Sequence, residues 1–241
     1  MTTLFISDLH LHPSRPQITE LLLDFLRKEA HTAEALYILG DFFETWIGDD
    51  DPDPHHARVL SGVRALTDSG VPVFFMHGNR DFLIGEGFAR QTGCTLLPDP
   101  TPVNLYATPT LLMHGDTLCT DDVEYQEFRN MVRDPAWQKS FLARPLAQRG
   151  AFSAQARATS KTRTASKPEY IMDVNQQAVE RAIVAHGVTR LIHGHTHRPA
   201  VHKFRCNGLE ATRIVLGDWY EQGSILRVNR HAALIETLPP S

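Results

Sequence analysis

Five short apolar runs, each ending abruptly at a cluster of polar residues, constrain this chain more than any other feature. Leu4-Phe5-Ile6 leads into Ser7-Asp8-Leu9-His10, and Leu36-Tyr37-Ile38-Leu39 into Gly40-Asp41. Val73-Phe74-Phe75-Met76 leads into His77-Gly78-Asn79-Arg80-Asp81. Leu111-Leu112-Met113 leads into His114-Gly115-Asp116, and Leu191-Ile192 into His193-Gly194-His195-Thr196-His197. Continuous apolar runs of this length fit strands covered on both faces. Ile18, Leu21, Leu22, Phe25 and Leu26 recur at helical spacing between the first two runs, and Val59, Val63 and Leu66 do so between the second and third. Strand–helix–strand alternation predicts a largely parallel sheet in the first half, whose carboxyl ends share one rim where ligands bind.

The last quarter reads differently. Residues 200–206 and 209–216 flank Asn207-Gly208, a two-residue hairpin signal, and residues 223–228 and 232–237 form another such pair. A second, more antiparallel sheet packed on the first is the expectation. Residues 120–187 read as helices. Within 128–167 lie nine basic residues (Arg129, Arg133, Lys139, Arg144, Arg149, Arg157, Lys161, Arg163 and Lys167) and one acid, Asp134. That segment carries +8 in a chain of net charge −4, so the remainder carries −12. The expected organisation is one α/β domain over 1–241 with a helical cap inserted at 120–167.

The bulk charge gives no sign of nucleic-acid binding, and there is no extended aromatic–basic groove. The cysteines, Cys94, Cys119 and Cys206, are odd in number and form no CxxC pair, which argues against a disulfide framework or zinc knuckle. No stretch approaches the roughly 20 apolar residues of a membrane span, and Asp8 and His10 interrupt the opening run. A soluble or membrane-surface protein is expected, and nothing identifies a protein partner.

The five polar clusters hold Asp8, His10, Asp41, Asn79, His114, His195 and His197, all oxygen or imidazole donors. Such a set suits manganese, magnesium, iron or zinc. It is too large for one ordinary site and about right for two ions sharing a bridging carboxylate. In extended backbone, residues i and i+2 point the same way, so Asp8 with His10, and His195 with His197, are each expected to present a pair of donors. Gly40, Gly78, Gly115 and Gly194 would let the backbone turn beside an ion or phosphate. His77 and His193 are expected to be satisfied core groups, His12 a weak ligand candidate, and Asp49–Asp53 a solvated acidic loop.

These residues, in this order, resemble the calcineurin-like metallophosphoesterase superfamily, whose pattern is D-x-H, G-D-x-x-D, G-N-H-D/E, H and G-H-x-H. The resemblance implies a four-layer α-β-β-α sandwich. It places one ion on Asp8, His10, Asp41 and His197, and a second on Asp41, Asn79, His114 and His195. Two positions depart from the pattern: Glu44 stands for the second Asp of G-D-x-x-D, and Arg80 for the histidine expected to protonate a leaving alkoxide. Arginine has a pKa above about 12 and cannot be a general acid near neutrality, but it can clamp phosphate oxygens. The leaving group should therefore need no proton. A phosphate monoester, with a second pKa of about 6, meets that requirement and a sugar alkoxide does not.

Arg80, the stretch Phe43-Glu44-Thr45-Trp46-Ile47-Gly48-Asp49-Asp50 and the cap narrow the resemblance to the UDP-2,3-diacylglucosamine hydrolases of lipid A biosynthesis. That family implies two Mn2+ ions and a lipid-linked UDP-sugar substrate cleaved to 2,3-diacylglucosamine 1-phosphate (lipid X) and UMP, with water attacking the α-phosphorus. It implies work at the cytoplasmic face of the inner membrane. It assigns Asn79 and Arg80 to the reacting phosphate, and Asn79, Arg80, Asp122, Ser160, Thr164, Lys167 and His195 to substrate contact. Val132, Trp137, Phe141, Leu142, Leu146 and Phe152 interleave with the cap's cations, and Trp137, Phe141, Leu146 and Phe152 are expected to take acyl chains. The rival readings are a phosphodiesterase or nuclease of the same superfamily, and a scaffold that has lost its metals. Intact donors at all seven positions oppose the latter.

Overall fold

The computed structural model describes residues 2–166 and 169–239; of Lys161, 163–166 and 169–170 only the backbone is described. In chain order the strands are β1 (Thr3–Ile6), β2 (Ala35–Leu39), β3 (Val73–Met76), β4 (Thr95–Leu97), β5 (Thr101–Leu105), β6 (Thr108–Leu112), β7 (Arg190–His193), β8 (Ala200–Cys206), β9 (Leu209–Val215), β10 (Gly223–Val228) and β11 (Ala233–Leu238). The helices are α1 (Pro16–Lys28), α2 (Pro54–Asp68), α3 (Glu86–Thr92), α4 (Val123–Arg133), α5 (Pro135–Leu142), α6 (Leu146–Ser166) and α7 (Gln176–His186).

Two sheets form. The first runs β11-β10-β1-β2-β3-β4 and the second β5-β6-β7-β9-β8. Strands β1 to β4 are parallel, as are β6, β7 and β9. Alternation along each strand assigns its residues to layers. Phe5, Leu39 and Met76 turn inward against Leu112, Ile192 and Ile214 of the second sheet. Leu4, Ile6, Ile38 and Phe75 turn outward under Leu22 and Phe25 of α1, Val59 and Val63 of α2, and Phe88 of α3. On the far side, Leu111 and Leu191 pack beneath Val179 and Ile183 of α7. The result is the α-β-β-α order expected from the sequence.

Helix starts follow local chemistry. Asp53 accepts from the His55 amide ahead of Pro54, Asp134 from Trp137 ahead of Pro135, and Asn175 from Ala178; Gly187 in left-handed backbone ends α7. Asn207 and Gly208, at φ 49° and 78°, make the predicted turn between β8 and β9.

The other C-terminal pair departs from expectation. Strands β10 and β11 join the first sheet, with β10 antiparallel to β1. Hairpin chemistry determines that two strands pair, not which sheet edge receives them. The short strands β4 and β5 had no distinguishing pattern in the sequence.

Candidate metal centre

All five polar clusters sit at carboxyl ends of strands, three in the first sheet and two in the second, and meet where the sheets abut. The segment after β1 rides alongside the segment after β2: the Asp8, His10 and Leu11 amides donate to Gly40, Asp41 and Phe42 carbonyls at 3.0, 2.9 and 2.9 Å. The backbone here is not extended, as the i, i+2 argument assumed. Asp8, His10, Asp41, His195 and His197 have φ of 55°, 47°, 50°, 68° and 56°. A non-glycine residue in the left-handed region costs of order 1–3 kcal/mol and persists only where its surroundings hold it. Left-handed turns, not pleating, aim these donors inward.

Close approach explains two of the glycines. A Cβ on Gly78 would lie 2.1 Å from Asp41 Oδ1, and one on Gly194 2.2 Å from Asp8 Oδ2. Each glycine admits a carboxylate against the main chain.

Two donor groups result. Asp8, His10 and His197 converge in one, and Asp41, His114 and His195 in the other. In the first, His197 Nε2 lies 3.3 Å from both Asp8 Oδ1 and His10 Nε2. In the second, Asn79 Oδ1 lies 3.0 Å from His114 Nε2 and 2.9 Å from His195 Nδ1. Asp41 stands between them, one carboxylate oxygen toward each. All seven residues singled out in the sequence are therefore at the site. Divalent ions fit it: Asp8 Oδ1 is buried without a hydrogen-bond donor, although Asp8 Oδ2 accepts from Ser7 Oγ and the His195 amide. Burial opposes a charged His114, yet Asp41, Asp116 and Asp8 raise it to about 9. Burial and the neighbouring His114 lower His195 to about 4. The carboxylates thus impose a field that favours cations.

Surrounding groups fix these donors. Buried Asp81 accepts from the Gly78 and Phe42 amides at 2.8 and 2.7 Å, locking the loops that carry Asn79 and Asp41 together. Burial and the adjacent Asp41 raise its carboxyl to about 6. His114 Nδ1 is 2.9 Å from the Leu39 carbonyl. Sequence reasoning missed Asp116 and Tyr220. Asp116 is buried and accepts from Tyr125 Oη at 2.6 Å and Arg129 Nε at 2.7 Å; its place two residues after His114 was the available signal. The Tyr220 ring stacks on His10, with centroids 5.1 Å apart and planes 9° apart. Nothing local marks that tyrosine.

Arg80 donates its amide to Asp41 Oδ1 at 2.7 Å, and its buried Nε has no partner. Asp122 caps α4 by accepting from the Tyr125 amide, and Ser160 is exposed on α6. Lys167 and the Thr164 side chain lie outside the described residues. His77 and His193 are occupied core groups as expected, at 2.6 Å from the Ile84 carbonyl and 2.8 Å from the Gly194 carbonyl. His12 Nδ1 pairs with Ser14 Oγ.

The acidic loop is not merely solvated. Asp49 accepts from Trp46 Nε1 and from the Gly85, Gly87 and Phe88 amides, and so caps α3. Asp50 pairs with Arg149, which is itself buried. Three further arginines of α4 and α6 face acids or carbonyls of the core: Arg129 binds Asp116, Arg157 binds Glu44, and Arg133 donates to the Gly78 carbonyl at 2.9 Å. Part of the charge partition seen in the sequence is therefore complementarity across a contact. Trp137, Phe141 and Phe152 fill one another's ring faces at 4.8, 5.7 and 5.2 Å, with Phe141 buried in the main core. They pack on one another and on the main core.

The profile of the calcineurin-like phosphoesterases matches residues 1–199. A protein of Stenotrophomonas maltophilia (strain R551-3) named UDP-2,3-diacylglucosamine hydrolase is 56% identical over 245 residues, covering 99% of both chains. One of that name from Xanthomonas axonopodis pv. citri (strain 306) is 58% identical over 245 residues at the same coverage. Among solved structures, an archaeal phosphodiesterase superposes with a TM-score of 0.52 at 13% identity, covering 99% of this chain and 100% of the other, a likeness of fold alone. With two adjacent histidine–aspartate donor groups, a family profile matching residues 1–199 and near-full-length identity to these relatives, the chain belongs to the UDP-2,3-diacylglucosamine hydrolase family of calcineurin-like phosphoesterases.

Proposed function

We propose that the chain hydrolyses the pyrophosphate bond of UDP-2,3-diacylglucosamine to lipid X and UMP, with water attacking the α-phosphorus and two Mn2+ ions as cofactors. The observation that carries this reading is the Asp41 carboxylate set between two histidine-rich donor groups. Asp8, His10, Asp41 and His197 would hold one ion, and Asp41, Asn79, His114 and His195 the other. A pair of divalent ions roughly 3.5–4 Å apart brings the pKa of a water near neutrality and neutralises charge on a phosphoryl group.

The protein's own part is positioning and charge. The buried Arg80 Nε has no partner within the protein, leaving a donor for a phosphate oxygen. Asn79, the preceding residue, has its Oδ1 2.9 Å from His195 Nδ1. Arginine supplies no proton near neutrality, and the departing lipid phosphate needs none. Asp122, Ser160, Thr164 and Lys167 would contact the head group.

No helix among the described residues is long and apolar enough to cross a membrane. The exposed cations Lys139 and Arg144 of helices 123–166, read as a cap, would help hold the protein at an anionic leaflet, at about 1 kcal/mol per cation near the surface. Turnover of UDP-2,3-diacylglucosamine in heavy-oxygen water tests the reaction. The label should enter UMP, and its appearance in lipid X would overturn attack at the α-phosphorus. Restoring activity to metal-stripped protein with single divalent ions tests manganese.

A further inference from the structure

Glu44 lies three residues beyond Asp41, where its amide donates to the Leu11 carbonyl at 3.1 Å and thereby fastens it to the segment carrying His10. One carboxylate oxygen, Oε2, is 3.1 Å from His10 Nδ1. The other, Oε1, is 3.2 Å from Arg157 Nη1, on the long helix α6. The opposite nitrogen of the same imidazole, Nε2, faces Asp8, Asp41 and His197 at 4.0, 3.8 and 3.3 Å. Buried His10 Nδ1 makes no aligned hydrogen bond in the metal-free chain but stands in ion-pair contact with this carboxylate, which α6 in turn holds through Arg157.

An imidazole binds an ion through one nitrogen while the other carries a proton, and the acceptor of that proton selects the tautomer and holds the ring. We infer that Glu44 is a positioning residue for His10 and that Arg157, acting through Glu44, couples affinity for the ion of the Asp8/His10/His197 group to docking of α6. This rests on the two-ion reading above and adds to it a physical connection between the helices over the site and one particular ion. Among the described residues the second donor group has no equivalent contact to α6: His114 Nδ1 faces the Leu39 carbonyl, a fixed main-chain group. Sensitivity to α6 should accordingly fall on one ion only.

Cobalt(II) is the probe, followed by its visible absorbance during titration of metal-stripped protein. The unaltered chain should take two equivalents. Glu44→Gln should weaken one equivalent by about 10–100-fold, the range typical for loss of an outer partner of a ligand, and leave the other near its original affinity. Arg157→Gln should weaken the same equivalent, and the double variant should be no worse than Glu44→Gln alone, because Arg157 acts only through Glu44. Equal weakening of both ions, no weakening, or additive losses would overturn the inference. Hydrogen exchange of α6 on the unaltered protein gives a check that survives a misfolding variant: cobalt should slow exchange around Arg157, and unchanged exchange counts against the coupling. If the unaltered chain binds no cobalt, the two-ion reading falls with it. If it binds two and the variants bind as well, the coupling alone falls.

Discussion

Asp41 faces two ways: its Oδ1 lies 3.8 Å from His114 Nε2 and its Oδ2 3.8 Å from His10 Nε2. Its backbone stands at φ 50°, and the Arg80 amide donates to Oδ1 at 2.7 Å, so the carboxylate is set by the fold rather than recruited later. Replacing it should therefore affect both donor groups together. Asp41→Asn is expected to lower kcat by about a thousandfold, several kcal/mol of lost charge stabilisation at 1.36 kcal/mol per tenfold. Metal analysis should show both ions held more weakly. Full occupancy with near-normal turnover would rule out the proposed bridging by Asp41.

Gly78 has no room for a side chain, since a Cβ would sit 2.1 Å from Asp41 Oδ1 and 2.2 Å from its amide nitrogen. Gly78→Ala should shift Asp41 by a fraction of an ångström to about one. Displacement on that scale is worth about a hundredfold in rate at a positioned site. Steady-state kinetics with circular dichroism would separate this from unfolding: the fold should persist while turnover drops. An alanine variant as active as the parent would contradict the packing.

The proton on His114 offers a pH signature. In the metal-free chain its pKa is raised to about 9 against an ordinary 6.5, because Asp41, Asp116 and Asp8 outweigh the burial that opposes its charge. A group whose folded pKa is raised contributes stability that is complete below about pH 6.5 and is lost as pH climbs through 9. Metal-free protein should accordingly lose thermal stability across that window, and His114→Asn should lose less. Metal ions compete for the same nitrogen, so divalent affinity should rise over the window and binding at pH 7.5 should release protons. Calorimetry in buffers of different ionisation heat measures that release. No buffer dependence would refute the protonated state.

Phe141 of α5 packs in the main core, buried and stacked 4.8 Å from Trp137. Phe141→Ala should cost about 3–5 kcal/mol, the usual penalty for a large-to-small core change. If α4 to α6 fold as one body with the sandwich, urea unfolding should stay a single transition with a lowered midpoint. A separate early transition, with the main midpoint unmoved, would instead identify them as an independent unit.

Much of the site was legible in the sequence because its signal is local. Apolar runs such as Leu36–Leu39 mark a strand, the polar residue that follows marks its end, and parallel connection aligns those ends at one rim. That is enough to bring Asp8, His10, Asp41, Asn79, His114, His195 and His197 together on paper. The same locality explains α1, α2 and the turn at Asn207-Gly208, whose spacing and backbone preferences need no distant partner.

What the tertiary structure alone decided are choices among distant partners. The strands β10 and β11 attach to β1 because β1 has an open edge there, which no residue of the hairpin announces. Asp49 looked like one acid in a solvated run, yet it meets the Gly85, Gly87 and Phe88 amides across the fold. Tyr220 reaches His10 from the far end of the chain. The left-handed backbone at the ligand aspartates and histidines is likewise imposed by what surrounds it, since none of these residue types prefers that conformation strongly enough to adopt it unaided. Residue spacing encodes which side chains arrive at a rim; only the packed sheets determine how each donor is aimed and what holds it there.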